Sequence, residues 1–258
     1  MRSKLCLSHY HQMGNEIIIG AALLPAVLLL LYILWQDRKN PEPILLTLKG
    51  VFYGILSAAV SLAISIPAIK FGLVPDTDSP TNAIDALKIA FGAAAIPEEV
   101  AKFIMLWLLL RKNKHFDERF DGIVYAVYIG LGFAGLENVL YVTGAGPSWM
   151  GTAIVRAFLS VPAHFFFAVL MGYYYSRVHF GHANPFNCLM VLLAPIVAHG
   201  IFDGLLFVAR LDTVSDALTI VIMIVLLFFV NSLRKICTRH IREMVQRDRT
   251  YQRSYSRT

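Results

Sequence analysis

The chain has 258 residues, of which 57% are hydrophobic and only 16% are charged, and its mean hydropathy is +0.61. Soluble domains carry about 25% charged residues, so this composition excludes a soluble protein and predicts a membrane protein. The net charge of +6 comes from loops and the C-terminal tail, which the positive-inside rule explains without nucleic acid.

Apolar runs of about 20 residues, the length needed to cross a bilayer, recur along the chain. Because the runs are continuous and show no barrel-like alternation, they predict an all-α fold, a polytopic transmembrane bundle of about seven spanning helices. The predicted helices cover residues 15–35, 44–73 with a kink at Pro67, 83–110, 121–143, 152–175, 186–209 and 215–233. The predicted organisation is an N-terminal tail (1–14), one transmembrane domain (15–233) and a basic tail (234–258).

Basic residues are concentrated on one side of this topology. They lie in the loops after the first, third and fifth predicted helices and in the C-terminal tail. The positive-inside rule therefore predicts a multi-pass protein of the cell membrane with a cytoplasmic C-terminus and an outside N-terminus. The basic tail suits either an anionic inner leaflet or a solvated disordered segment, and the sequence leaves both readings and the oligomeric state open.

Ionisable side chains inside a spanning helix cost about 2.5–3.5 kcal/mol each, so they usually face the protein interior and serve a function. The third predicted helix carries Glu98, Glu99 and Lys102 near its middle. Glu98 and Lys102 are four residues apart and share a face, so we expect them to pair. A structural salt bridge needs only one carboxylate, and the second favours a general base. Pro97 precedes the pair and either frees a backbone carbonyl or kinks the helix.

The fourth predicted helix carries Glu137 and Asn138 behind a run of glycines. Gly130, Gly132 and Gly135 predict close packing against a neighbouring helix. Glu137 needs a buried partner, for which Lys102, a histidine and Arg156 are candidates, and Asn138 suits an interhelical hydrogen bond.

The fifth and sixth predicted helices add two histidines to the set of intramembrane polar residues. His199 and Asp203 are four residues apart, so the aspartate is placed to orient the imidazole. His164 lies on the fifth helix with Arg156, which either snorkels to the outer surface or pairs with Glu137. One intramembrane histidine is often structural, but two of them with acids on four helices favour a shared site.

The set contains neither a convincing nucleophile nor a His-Glu-x-x-His motif, and the three cysteines are isolated. The simplest chemistry is a carboxylate that activates water while imidazoles and an amide or acid hold the oxyanion. We therefore predict no cofactor and no metal, with zinc as an alternative because histidines and carboxylates are its ligands. A proton-coupled transporter and a non-catalytic sensor or scaffold are the competing functions.

The order of these motifs resembles the PrsW family of membrane-embedded proteases, which is similar to the CAAX prenyl endopeptidases. The resemblance spans about residues 37–203 and rests on Asp37-Arg-Lys-Asn-Pro-Glu-Pro43, Glu98-Glu99-x-x-Lys102, Gly132-Phe133-x-x-x-Glu137-Asn138, His164 and His199-Gly-x-x-Asp203. Prenyl proteases carry Arg or His where this chain has Lys102 and Glu137, so their prenylated substrate is not implied.

The resemblance implies peptide-bond hydrolysis with Glu98 and Glu99 as the catalytic pair. It implies that His164 and His199 position the water or stabilise the tetrahedral intermediate. The residues that support this site, from the resemblance and from their own chemistry, are Lys102, Glu137, Asn138, Arg156 and Asp203. The implied substrate is a single-pass membrane protein, an anti-sigma factor cut at site 1 in a stress response.

Overall fold

The computed structural model describes the backbone of residues 2–75 and 80–255 and the side chains of residues 14–75 and 80–250. Four basic side chains that enter the charge argument, Arg2, Lys4, Arg253 and Arg257, and most of the predicted tail 1–14 lie outside the described side chains. Within these ranges the fold is all-α, as predicted. The elements are α1 (Arg2–Asp37), α2 (Ile44–Lys70), α3 (Ala83–Ile89), a π-helical turn (Ala90–Ala95), α4 (Ile96–Leu110), α5 (Asp121–Gly144), a 3-10 turn (Gly146–Ser148), α6 (Trp149–Phe158), α7 (Ser160–His179), α8 (Pro185–Val208) and α9 (Asp216–Tyr255).

Six helical segments of the described chain are long and apolar enough to cross a membrane. The polytopic bundle is therefore confirmed, and the difference from seven lies in the predicted helix 83–110. That segment is divided into α3, the π-helical turn and α4, and α4 has only 15 residues. Helix α2 continues through Pro67 and ends at Lys70.

Helix α5 is the centre of the bundle. The apolar window of α5 is 78% buried, whereas those of α1 and α9 are 17% buried and expose their apolar side chains toward the surrounding lipid. Helices α1, α2 and α7 all pack on α5. A central helix with little lipid contact is suited to carry polar side chains, and Glu137 and Asn138 lie on it.

Glycines allow α5 to approach its neighbours closely. A Cβ atom on Gly132 would lie 2.2 Å from the carbonyl oxygen of Val51, and one on Gly54 would lie 2.1 Å from the carbonyl oxygen of Ile129. A Cβ atom on Gly130 would lie 2.6 Å from the Cβ of Ala168 on α7. The predicted packing role is confirmed for Gly130 and Gly132.

We expect Gly132→Ala to destabilise the protein by about 1–3 kcal/mol, because the new methyl group would collide with backbone that cannot move alone. The helix propensity of alanine works in the opposite direction, by about 1 kcal/mol. Thermal unfolding in detergent measures the difference. Gly144→Ala is the matched control on the same helix, since a Cβ there has no neighbour within 4 Å. A Gly132→Ala protein as stable as the control would contradict the close approach of α2 and α5.

Helix α9 extends well beyond the membrane. Its 40 residues span about 60 Å, twice the hydrocarbon thickness of about 30 Å. The helix crosses the predicted boundary at 233/234 without a break, and Cys237, Ile241 and Met244 are buried. The alternative of a disordered tail is therefore wrong for residues 234–250.

The C-terminal half of α9 is fixed to the loop before α5. The buried carboxylate of Asp248 accepts hydrogen bonds from the backbone N–H groups of Arg119 and Phe120, at 3.1 and 2.9 Å. His240 stacks on the ring of Tyr173, with 3.7 Å between centroids. The C-terminal helix is thus part of the packed structure at the end that carries the basic loops.

The Asp37–Pro43 motif of the family resemblance lies at this same end. The Asp37 carboxylate accepts the N–H of Glu42 at 3.2 Å, and the Tyr125 hydroxyl donates to the Glu42 carboxylate. Burial raises the pKa of Glu42, which suits a carboxyl held inside the protein. Tyr125 and Glu137 are separated by twelve residues of α5, about 18 Å, so this motif joins the loop to α5 and lies apart from the intramembrane cluster.

Candidate active site

The π-helical turn Ala90–Ala95 places the start of α4 beside α8. A Cβ on Gly200 would lie 2.2 Å from the ring of Phe91, so the backbone of α8 passes directly over this turn. Pro97 follows this turn at the start of α4, and the backbone is helical on both sides of it, so a residue that cannot donate a helical hydrogen bond lies next to the π-helical turn. The interruption therefore precedes Pro97, and it brings Glu98 and Glu99 opposite His199. Such π-helical insertions are frequent at functional sites.

Lys102 lies at the centre of the cluster. Its Nζ is 3.2 Å from Oε2 of Glu98, 2.9 Å from Oε1 of Glu99 and 3.3 Å from Nδ1 of His164. It also lies 4.0 Å from the ring centroid of Phe133. The predicted Glu98–Lys102 pair is confirmed, and Glu99 shares the same ammonium group.

The neighbours of His164 determine its tautomer. An ammonium group only donates hydrogen bonds, so Nδ1 of His164 accepts the bond from Lys102. The ring proton is then on Nε2, which lies 3.0 Å from Oε2 of Glu137 and donates to it. His164 is thus held from both sides by charged groups from α4 and α5.

His199 is held between two carboxylates. Its Nδ1 lies 2.9 Å from Oε1 of Glu99, and its Nε2 lies 3.1 Å from Oδ2 of Asp203. The imidazole stacks on Phe167 at 4.7 Å and lies 5.1 Å from the ring of His164. The predicted orientation of His199 by Asp203 is confirmed, and the sequence did not indicate the second carboxylate, Glu99.

The polar side chains of α5 find partners on α6 and α1. Arg156 donates through Nη2 to Glu137 at 2.6 Å and through Nε to Asn138 at 2.7 Å. Asn138 donates in turn to the carbonyl of Ala22 at 2.6 Å. The predicted pairing of Arg156 with Glu137 is confirmed. The predicted interhelical hydrogen bond of Asn138 is also confirmed. Glu137 additionally has a histidine partner, His164.

Two cavities meet at Glu98. The larger, of about 760 Å³, reaches six of the predicted site residues: Glu98, Glu137, Arg156, His164, His199 and Asp203. The smaller, of about 660 Å³, shares with it Ala94, Glu98, Tyr141, Phe207 and Arg210. The Glu99 side chain is 0% exposed and lines neither cavity, so Glu98 is the carboxylate of the pair that reaches open space.

Known proteins resemble this chain over most of its length. Residues 42–231 match the model of a family described as PrsW family intramembrane metalloprotease. The chain belongs to the PrsW family. One similar family member is the Protease PrsW of Clostridioides difficile (strain 630), which is 29% identical over 81% of this chain and 86% of the relative. Another is the Protease PrsW of Geobacillus kaustophilus (strain HTA426), which is 34% identical over 73% of this chain and 79% of the relative. The Protease PrsW of Bacillus subtilis (strain 168) is 32% identical over 73% of this chain and 82% of the relative.

No solved structure matches the chain. The PrsW family match covers every residue of the cluster around Lys102 and ends at residue 231, before the C-terminal half of α9. Membership of a family of intramembrane proteases, together with the six apolar helices, identifies a multi-pass membrane protease.

The donor chemistry of this PrsW family site fits a metal ion. Glu98, Glu99, His164 and His199 each offer one ligand atom, and these four atoms lie within 4.8 Å of one another. Oε2 of Glu99 is buried and has no hydrogen-bond partner among the residues that the structure describes. Carboxylate oxygens and imidazole nitrogens are the ligands of catalytic zinc sites. The ammonium of Lys102 lies among the same donors.

Sequence reasoning missed Tyr141, and it named Phe133 only as part of the Gly132–Asn138 motif, without a role. Tyr141 lines both cavities, and the guanidinium of Arg156 lies 4.2 Å above its ring. Its position four residues after Glu137 placed it on the same helical face, which was an available signal. Phe133 faces Lys102 four residues before Glu137 and carried the same signal.

Proposed function

We propose that this PrsW family member is an intramembrane endopeptidase that uses water activated by Glu98 to hydrolyse a peptide bond of a single-pass membrane protein. The observation that carries the proposal is the position of Glu98 where two cavities meet, with Lys102 and His199 beside it. Glu99 supports the site from behind, because it binds Lys102 and His199 and lines neither cavity.

The proposed reaction needs one proton carrier and positive charge near the carbonyl oxygen. Glu98 accepts a proton from water as the water oxygen bonds to the carbonyl carbon. The oxyanion that forms faces the cavity lined by Arg156 and His199. Glu98 then returns the proton to the amine nitrogen as the C–N bond breaks. Glu137 and Asp203 hold His164 and His199 in place through the contacts described above.

The residues that would hold a metal ion are Glu98, Glu99, His164 and His199. A bound metal supplies Lewis-acid polarisation of the carbonyl and of water. We propose that the residues above perform the hydrolysis without a required metal. The description of the family as a metalloprotease opposes this view, and chelation tests it directly. Activity that is lost with a chelator and restored by zinc would contradict it.

The cavities support access from one side of the membrane. The larger cavity is lined by Gly144, Ala145, Ser148 and Arg210, which lie at the end of the bundle opposite the basic loops. With the basic loops and C-terminus in the cytoplasm, this end faces outward. We propose that the substrate is cut near its outer boundary, as the resemblance implies for site-1 cleavage of an anti-sigma factor.

The test is cleavage of a single-pass candidate substrate by the purified protein in liposomes, with fragment masses read by mass spectrometry. We expect a cut in the outer half of the spanning segment or just outside it. The Glu98→Gln/Glu99→Gln double variant is the inactive control. Fragments that persist with the double variant would contradict the proposal, and proton uptake without any fragments would favour the transporter.

A further inference from the structure

The ammonium of Lys102 lies where a metal ion would need to bind. Its Nζ is within 3.3 Å of donor atoms on three of the four residues that could hold the metal, Glu98, Glu99 and His164. Zinc binds oxygen and nitrogen donors at about 2.0–2.2 Å, so a zinc ion among these atoms would stand within a few ångströms of the ammonium.

We propose that Lys102 is an internal cation that competes with divalent metal for the carboxylate and imidazole donors, so that zinc enters only when the ammonium leaves. The competition is for the same lone pairs, because Nδ1 of His164 and Oε1 of Glu99 already accept hydrogen bonds from Nζ. Two cations in one enclosed volume shielded from bulk water also repel each other strongly. This inference concerns the occupancy of the proposed active site and rests on that assignment.

The structure gives the ammonium no easy way out of the cluster. Lys102 is 3% exposed, lines neither cavity and is covered by the ring of Phe133. It lies on the same helix as Glu98 and Glu99, at i+4 and i+3, so movement of α4 as a rigid body cannot separate it from them. Removing the charge by substitution is therefore the direct way to expose the metal-binding capacity of the four ligands.

The experiment measures zinc in purified full-length protein in detergent, without substrate. After equilibration with zinc and removal of free ion, we expect the natural protein to retain less than about 0.1 zinc per chain and Lys102→Gln to approach one. In competition with a fluorescent zinc chelator, Lys102→Gln should bind zinc at least about 30-fold more tightly than the natural protein, because one full positive charge has been removed from the donors. Lys88→Met is the matched control, since Lys88 is exposed on α3 and lies outside the cluster.

Thermal unfolding guards against a variant that simply fails to fold. Zinc should raise the Tm of Lys102→Gln and of Lys102→Met and leave that of the natural protein unchanged, because a ligand that binds only the folded state stabilises it. The inference is overturned if the natural protein binds one zinc as tightly as the variants, or if folded variants bind none. If the cleavage assay showed no product, the peptidase proposal would be wrong, but the zinc measurements would still test the competition by Lys102, because they use no substrate.

Discussion

Glu98→Gln is expected to lower kcat for peptide cleavage by about 10²–10⁴-fold, the usual contribution of a general base. Glutamine has the same shape but cannot take a proton from water. Because Glu98 faces the cavities while Glu99 and Lys102 hold each other behind it, the fold and the substrate KM should change little. Initial rates at several substrate densities in liposomes separate the two constants, and Tm in detergent checks the fold.

Glu99→Gln separates the two roles of the glutamate pair. Glu99 is fully buried and forms ion pairs with Lys102 and His199. Glu99→Gln should therefore have a lower Tm as well as a lower activity. Glu243→Gln, in the C-terminal half of α9, serves as the control that keeps both the Tm and the activity. If Glu98→Gln kept more than about a tenth of the natural rate, well above the loss expected for a general base, the water-activating role would belong to another group.

The spanning helices were predictable because the bilayer sets their length, whereas the interruption of the third segment was not. The turn Ala90–Ala95 consists of alanines, one phenylalanine and one glycine, and alanine has the highest helix propensity. Gly92 inside the turn and Pro97 two residues after it are local signals of an irregular helix, but neither specifies a π-helical turn. The contact that the sequence could not indicate is tertiary, since Gly200 of α8 packs against the ring of Phe91.

Within the site, pairs on one helix were predictable and pairs between helices mostly were not. The Glu98–Lys102 and His199–Asp203 contacts follow from a spacing of four residues. The contact of Lys102 with His164 joins residues 62 apart in the chain. Adjacent glutamates point about 100° apart, so one had to face away from the other, but only the packing of α8 decides which one reaches the cavity.

The C-terminal half of α9 carries a sequence signal that the interpretation of the tail from its charge did not use. Cys237, Ile241, Met244 and Asp248 recur at helical spacing, and all four are buried. The abundance of arginine around them favoured a solvated tail instead. The buried aspartate at the end of this stripe was the least expected member, because its partners are backbone N–H groups in a distant loop.

Arg156→Met is expected to destabilise the protein by about 1–3 kcal/mol, less than the loss for a fully buried ion pair, because it removes one partner of a part-buried pair and leaves the other charge behind. The side chains of Arg156 and Glu137 are 12% and 21% exposed and line the larger cavity, so the remaining carboxylate is screened in part. Asn138 also loses the donor to its Oδ1. Unfolding by heat or by denaturing detergent measures the loss in free energy.

The double variant Arg156→Met/Glu137→Gln tests whether the loss comes from the pair itself. If it does, neutralising Glu137 in the Arg156→Met background should recover part of the stability, and the two effects will be far from additive. Arg210→Met is the matched control at the cavity mouth, where the exposed side chain should contribute less than about 0.5 kcal/mol. Additive losses would instead show that Arg156 and Glu137 act through separate neighbours.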